Sequence, residues 1–156
     1  MNIKGEYEFD ILIQNMFNSY NLRIKNHNIV TREGLDFILG CCINQNDQFF
    51  GNVFVGTNPA EASIDDTVDI FRKSKEFTDA EKSVENNQLI YSTALVGSDI
   101  NDTTEIGIFS ENEDILITRD VHDRYDIPAD AQITFTYNLT IANEENEIIE
   151  EEELYD

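Results

Sequence analysis

The sequence predicts a mainly β protein: an antiparallel β-sandwich, jelly-roll-like, with one short amphipathic helix near residues 31–42. Residues 133–141 alternate strictly between apolar and polar side chains, the pattern of a strand with one buried face and one wet face. Two more apolar runs, at 89–96 and 115–119, lie on either side of the segment 104–109. Because polar turns separate all of these runs, we expect neighbouring strands to pair antiparallel.

A change from a period of two to a helical period predicts the helix. Apolar residues recur at the spacing i, i+3, i+4 and i+7, namely at Leu35, Ile38, Leu39 and Cys42. Thr31 precedes them as a candidate N-cap, and Glu33 is placed to interact favourably with the helix dipole. We therefore expect the apolar stripe to face the core.

The remaining segments carry weaker signals. Residues 22–30 are predicted to form a hairpin or a strand with a turn, and residues 49–55 a strand. Polar composition predicts several loops and connections: an acidic loop at 61–69, a solvated strand or loop at 70–77, and connections at 78–87 and 120–131.

These patterns divide the chain of 156 residues into three parts. Residues 1–21 fit neither a strand nor a helix consistently and are predicted to form an N-terminal arm. Residues 22–142 are predicted to form the β-sandwich domain, which is large enough to build its own core. Residues 143–156 are predicted to be an acidic C-terminal tail, disordered in isolation because of its composition.

The charge balance limits the kinds of partner. The chain has 32 acidic and 10 basic residues, a formal net charge of −22. A field of this sign repels nucleic-acid phosphates and anionic membranes, so we expect no direct nucleic acid and no membrane partner. Basic surfaces on partner proteins would be attracted instead.

The two cysteines and the N-terminal residues bear on where the protein is made. Cys41 and Cys42 are adjacent, so a disulfide between them would be strained, and we expect two small buried residues in a reduced compartment. Residues 1–6 lack the basic and then hydrophobic pattern of a signal peptide. We therefore expect synthesis and folding in the cytoplasm.

The sequence contains few candidates for reactive groups. His27 and His122 lie on predicted loops without metal-ligand spacing, and no catalytic motif occurs, so we expect no enzyme activity and no cofactor. One turn concentrates side-chain oxygens that could hold Ca²⁺, at Asp99, Asn101, Asp102 and Glu105. Their order does not match an EF-hand loop, and an ordinary turn rich in Asp and Asn is the other interpretation, so we expect no metal.

Several short motifs occur together in a recognisable order. Residues 28–35 (NIVTREGL) stand where a strand passes into the helix, and 55–57 (VGT) and 65–67 (DDT) follow. Residues 105–109 (EIGIF) then precede an apolar strand that ends at Arg119 and the alternating strand at 133–141. Together the motifs resemble bacteriophage virion accessory domains of the tail-fibre, collar and adaptor-like type. Tyr137 stands where related domains often have Trp, and the acidic tail has no counterpart that we can name.

The resemblance implies a structural component of a bacteriophage particle, located in the virion as a tail, collar or neck adaptor or fibre-anchoring protein. It would act as a homo-oligomer that docks portal, tail or fibre components, without catalysis. Such a repeated subunit can cover its sheet edges by packing against neighbouring copies.

Three alternatives remain open at this point. The first is a capsid-surface decoration or head-fibre protein. The second is an acidic inhibitor that mimics DNA, although its densest acids lie on the tail rather than on a rigid surface. The third is a carbohydrate-binding β-sandwich, for which exposed aromatic side chains around a turn and a bound Ca²⁺ would be expected.

Overall fold

The computed structural model describes residues 2–142. Within that range the chain forms nine strands, one α-helix and two short 3₁₀ helices, at Val68–Ile70 and Gly97–Asp99. The strands and the helix are β1 Asn2–Gln14, β2 Ser19–Val30, α1 Arg32–Cys42, β3 Phe50–Gly56, β4 Lys73–Glu76, β5 Glu81–Glu85, β6 Gln88–Val96, β7 Glu105–Ser110, β8 Leu116–Val121 and β9 Gln132–Ala142.

All nine strands belong to one antiparallel sheet in the order β4-β3-β7-β8-β2-β1-β9-β6-β5. The sheet curls, so that strands distant in this order approach each other: Tyr91 on β6 donates a hydrogen bond of 2.9 Å to the Gly51 carbonyl on β3. The predicted mainly β, antiparallel fold with a helix near 31–42 is therefore confirmed. The two-layer sandwich or jelly-roll is not confirmed.

Side chains in direct cross-strand register build the core. Tyr91, Tyr137 and Tyr7 oppose one another across β6, β9 and β1 and form one row. Phe135 and Phe9 oppose each other in the next row, and all five of these side chains are completely buried. Such cross-strand pairs stabilise a sheet through contacts on the buried face. The alternation predicted for 133–141 is thus confirmed.

The N-terminal arm predicted for residues 1–21 is wrong over its described part. Asn2–Gln14 is the longest strand and pairs with β2 on one side and β9 on the other. Its buried side chains, Tyr7, Phe9, Ile11 and Ile13, follow a period of two. The first half of the chain therefore has its own alternating strand at the centre of the sheet.

The helix forms where expected, but a different face is buried. The Thr31 hydroxyl accepts a hydrogen bond of 2.9 Å from the Gly34 amide, which confirms the N-cap. Gly34, Phe37 and Ile38 are buried, and a Cβ on Gly34 would collide with the backbone of Ile117 on β8. From the predicted stripe only Ile38 is buried, whereas Leu35, Leu39 and Cys42 are exposed.

The cysteines are also exposed, contrary to the prediction. Cys41 and Cys42 lie in the last turn of α1, beyond Phe37 and Ile38, which pack into the core. The helix end therefore reaches past the core, and both thiols lie beside an open apolar surface that is described below.

The connection predicted at 78–87 contains strand β5, which pairs with β6 as a hairpin. All five of its residues are exposed, so the strand has no apolar alternation that a sequence pattern could reveal. Asn86 and Asn87, both with positive φ, form the two-residue turn. The predicted acidic tail at 143–156 lies outside the described residues.

Strand β7 is buried on both faces. Ile106 and Ile108 belong to the main core, while Phe109 belongs to a second cluster with Phe54, Phe71 and Leu116. The second cluster packs the segment 57–72 against the sheet, since Phe71 belongs to that segment. This packing brings the polar side chains of the segment close to β7 and β8.

Candidate functional site

A fully buried arginine lies beneath the segment 57–72. Arg119 on β8 donates hydrogen bonds of 3.0 Å to the carboxylates of Glu105 and Asp66. Its remaining contacts are the carbonyl oxygens of Asn58, at 3.3 Å, and Ala60, at 2.9 Å. Neither Arg119 nor Glu105 exposes any surface. Such a buried pair is tolerated only when hydrogen bonds satisfy its charges, as they do here.

The second oxygen of Glu105 holds the same segment by its backbone. It accepts hydrogen bonds from the amides of Asn58, at 2.6 Å, and Arg72, at 3.0 Å. Glu105, Arg119 and Asp66 come from three of the motifs that carry the phage resemblance, and they meet in this one network. Every contact described for the network is internal, so we interpret it as a structural fastening of the segment 57–72.

A polar pocket of about 640 Å³ opens beside this network. It forms where β8 leaves β2: the two strands pair only at Ile29 and Val30, and β8 then continues along β7 alone. The His122 amide donates a hydrogen bond of 2.9 Å to the Thr104 carbonyl, which holds the chain on the β7 side. The pocket is lined by Asn26, His27, Pro59, Thr104, Asp120, Val121, His122, Asp123, Arg124 and Tyr125.

The two histidines considered in the sequence thus come together, although they are distant along the chain. His27 lies on strand β2, not on a loop as predicted, and His122 follows β8 directly. His122 stacks on Tyr125 with ring centroids 4.2 Å apart. Spacing within the sequence could not reveal this pocket, because its residues come from segments nearly a hundred residues apart.

Burial shifts the pKa values of three side chains in the pocket lining, Asp120, His122 and Tyr125. Burial raises the pKa of Asp120 above its usual value, and a hydrogen bond of 2.5 Å from Tyr7 opposes that shift. Burial lowers the pKa of His122, so its neutral form is favoured, and burial raises the pKa of Tyr125 to about 12. At neutral pH the histidine and the tyrosine are therefore uncharged.

Three buried polar atoms of this lining have no hydrogen-bond partner: Thr104 Oγ1, His122 Nε2 and Tyr125 Oη. Tyr125 Oη lies close to Tyr7 and Asn26 without meeting hydrogen-bond geometry with either. Buried polar atoms are normally paired, so a group of unpaired ones at a single pocket indicates a place for an external partner.

A second surface is apolar. A groove of about 470 Å³ lies between the end of α1 and the β5–β6 hairpin. We call it the apolar groove; it is lined by Ile38, Cys41, Cys42, Phe50, Val84, Asn87, Gln88, Leu89, Leu139 and Ile141. Its lining contains no charged residue, and Val84 at its edge is 80% exposed.

A third surface, the hairpin tip, protrudes at the turn between β1 and β2. It presents four exposed apolar or aromatic side chains: Met16, Phe17, Tyr20 and Leu22. Met16 and Phe17 are 89% and 87% exposed, although burying such side chains is favourable. The Asn15 side chain accepts hydrogen bonds from the amides of Phe17 and Asn18, which fixes the turn.

Of the four oxygen-bearing residues considered for Ca²⁺, three have side chains engaged in separate contacts. Asp99 accepts from Lys75, Asn101 bonds the backbone of Ile127, and Glu105 belongs to the Arg119 network. Across residues 2–142, no group of three or more His, Cys, Asp and Glu side chains is arranged to hold a metal ion.

Comparison with known proteins gives no relative. No family model matches the chain, and neither a curated protein nor a solved structure matches it. In the described part of the chain, no helix has the length and apolar character needed to span a membrane.

Proposed function

We propose that the chain is a structural component of a bacteriophage particle, at the tail, collar or neck, which assembles as a homo-oligomer and docks other virion proteins. The motif order between residues 28 and 141 supports the particle assignment. The observation that carries the assembly role is the placement of two exposed apolar surfaces, the hairpin tip and the apolar groove, at opposite ends of β1.

The separation of these surfaces follows from the strand register. The tip follows Gln14, the last residue of β1, whereas Ile3 near its beginning pairs with Ile141, which lines the groove. At the usual rise per residue the two ends lie about 35 Å apart. The tip therefore cannot fill the groove of its own chain, and it is free to enter the groove of a second copy.

Electrostatics favours the same pairing. Residues 14–22 contain no charged side chain, and neither does the groove, in a chain whose formal net charge is −22. Contact between two uncharged surfaces keeps the acidic surfaces of the two copies apart and limits like-charge repulsion. Apolar burial then supplies the affinity.

With the hairpin tip at one end of β1 and the apolar groove at the other, the contact between two copies is head-to-tail. Contacts of this kind generate closed rings when the rotation between copies closes, and filaments when it does not. A ring or a stacked array is the form in which a repeated subunit of a tail or collar would work.

The two exposed cysteines give a direct test. Phe17→Cys places a thiol on the tip, and in the head-to-tail contact it meets Cys41 or Cys42 of the next copy. Under mild oxidation we expect a disulfide-linked ladder on a non-reducing gel. The matched control is Asp130→Cys, an exposed position on the loop before β9.

The ladder should disappear when Cys41 and Cys42 are both replaced by serine in the Phe17→Cys background. Light scattering should also show smaller particles for the Met16→Ser/Phe17→Ser variant than for the wild type. A wild-type chain that stays monomeric at every concentration, or a ladder equal to that of the control, would contradict the assembly role.

The particle assignment needs its own test. Mass spectrometry of phage particles purified from the cells that produce this chain should detect it at a fixed ratio to the portal and tail proteins. Particles that contain none of it would show that the chain acts elsewhere, whatever its oligomeric state.

A further inference from the structure

The polar pocket is a built site rather than a surface irregularity. It is bounded by β2, by Thr104 just before β7, by the end of β8 and by residues 122–125, which follow β8. The Arg119 network holds the segment that carries Pro59, and the hydrogen bond between Tyr7 and Asp120 holds the opposite side. Its volume of about 640 Å³ falls within the range of small-molecule sites.

The unpaired atoms in the pocket require hydrogen-bonding partners. Thr104 is only 8% exposed, yet its hydroxyl has no hydrogen-bond partner. Tyr125 Oη and His122 Nε2 also have no hydrogen-bond partner. Each buried polar atom left unpaired costs about 1–3 kcal/mol. A ligand that pairs all three at once would recover much of this cost, since Thr104, His122 and Tyr125 line the same pocket.

The directions of these hydrogen bonds define the ligand. His122 Nδ1 lies 2.8 Å from the Asp123 carbonyl oxygen, which can only accept, so Nδ1 carries the proton and Nε2 is an acceptor. The Asp120 carboxylate is a second acceptor at the pocket. The Thr104 and Tyr125 hydroxyls can both donate and accept. The ligand must therefore bring several donors and several acceptors on neighbouring atoms.

The charges of the pocket lining disfavour an anionic ligand. Asp120 and Asp123 oppose a single guanidinium, Arg124, on a chain that is strongly acidic overall. We infer that the polar pocket binds a small neutral polyhydroxylated ligand, about the size of one sugar ring, through the Thr104 and Tyr125 hydroxyls, His122 Nε2 and the Asp120 carboxylate. Vicinal hydroxyls on a ring supply the required donors and acceptors. The inference does not depend on the proposed assembly role.

The test is a titration of the full-length protein with glucose, galactose and N-acetylglucosamine, followed by the NMR amide shifts of Thr104 and of residues 120–125. We expect saturable shifts for at least one sugar. Thr104→Val and Tyr125→Phe each remove one hydroxyl and should weaken binding about 3–10-fold. Thr78→Val removes an exposed hydroxyl outside the pocket and should leave the affinity unchanged.

Two charged probes complete the test. Putrescine offers amine donors without acceptors, and inorganic phosphate offers acceptors with negative charge, so we expect both to bind more weakly than the sugar. Absence of saturable shifts with all three sugars, tighter binding of either charged probe, or equal affinities for the two pocket variants and the wild type would overturn the inference. Thermal unfolding of each variant confirms that a lost signal is not a lost fold.

Discussion

Tyr7 and Asp120 are joined by a hydrogen bond of 2.5 Å, although they are 113 residues apart in sequence. Tyr7 lies on β1 at one end of the tyrosine row, and Asp120 is near the end of β8. The bond therefore connects the two halves of the curled sheet at the edge of the polar pocket. It also gives a carboxylate with a raised pKa a donor for its charged form.

The first prediction is that Tyr7→Phe destabilises the fold by about 1–2 kcal/mol at neutral pH, because it leaves a half-buried carboxylate without this donor. Urea unfolding measures the change. Tyr20→Phe is the matched control, since its hydroxyl is on an exposed side chain, and it should lie within about 0.5 kcal/mol of the wild type. Equal stabilities for the two variants would show that the bond contributes nothing.

The second prediction concerns the buried pair of Arg119 and Glu105. Arg119→Met leaves the buried Glu105 carboxylate without its cation and should cost about 3–5 kcal/mol in chemical unfolding. Arg32→Met breaks the exposed pair with Asp65, at 2.6 Å, and should cost under about 1 kcal/mol.

A double-mutant cycle with Glu105→Leu separates the pair from its surroundings. We expect a coupling energy of about 1–3 kcal/mol, because removal of both charges abolishes the unpaired-charge penalty. Some cost remains in the double variant, since Glu105 also accepts from the amides of Asn58 and Arg72. If the effects of the two substitutions on the unfolding free energy were strictly additive, Arg119 and Glu105 would not stabilise each other.

Local patterns predict the elements whose side chains carry the signal. Strand β9 could be predicted because Ile133, Phe135, Tyr137 and Leu139 alternate with polar residues. β1 has the same alternation, but Leu12 interrupts it, and neighbouring apolar residues also fit a helical turn. Helix α1 was placed correctly, whereas its buried face was not, because contact of Gly34 with the β8 backbone sets its rotation.

The sites depend on contacts that no local pattern contains. Glu105, Arg119 and Asp66 are visible as parts of three motifs, yet nothing in the sequence says that they meet. The polar pocket joins β2 to the end of β8, and the pairing of those strands is a property of the whole sheet. The apolar groove depends on where the curl leaves an opening beside α1.

The third prediction tests the turn between β5 and β6. Asn87 has φ of 66°, which suits asparagine and glycine but strains a β-branched residue. Asn87→Gly should therefore change the unfolding free energy by less than about 0.5 kcal/mol, and Asn87→Val should lower it by about 1–2 kcal/mol. Equal effects of glycine and valine in thermal unfolding would contradict this turn geometry.

The fourth prediction is a pH dependence that His122 causes. Burial lowers its pKa below the ordinary value of 6.5, while the charges of Asp120, Asp123 and Glu105 oppose this shift. Between the folded-state pKa and 6.5 the unfolded chain binds a proton that the folded chain does not, so stability falls as the pH is lowered through this window. His122→Gln should remove this pH dependence. The loss of unfolding free energy between neutral and mildly acidic pH should then be smaller than in the wild type, by under about 1 kcal/mol. His27→Gln, at an exposed pocket position, is the control. If the stability of His122→Gln changed with pH in parallel with that of the wild type, His122 would not titrate differently on folding.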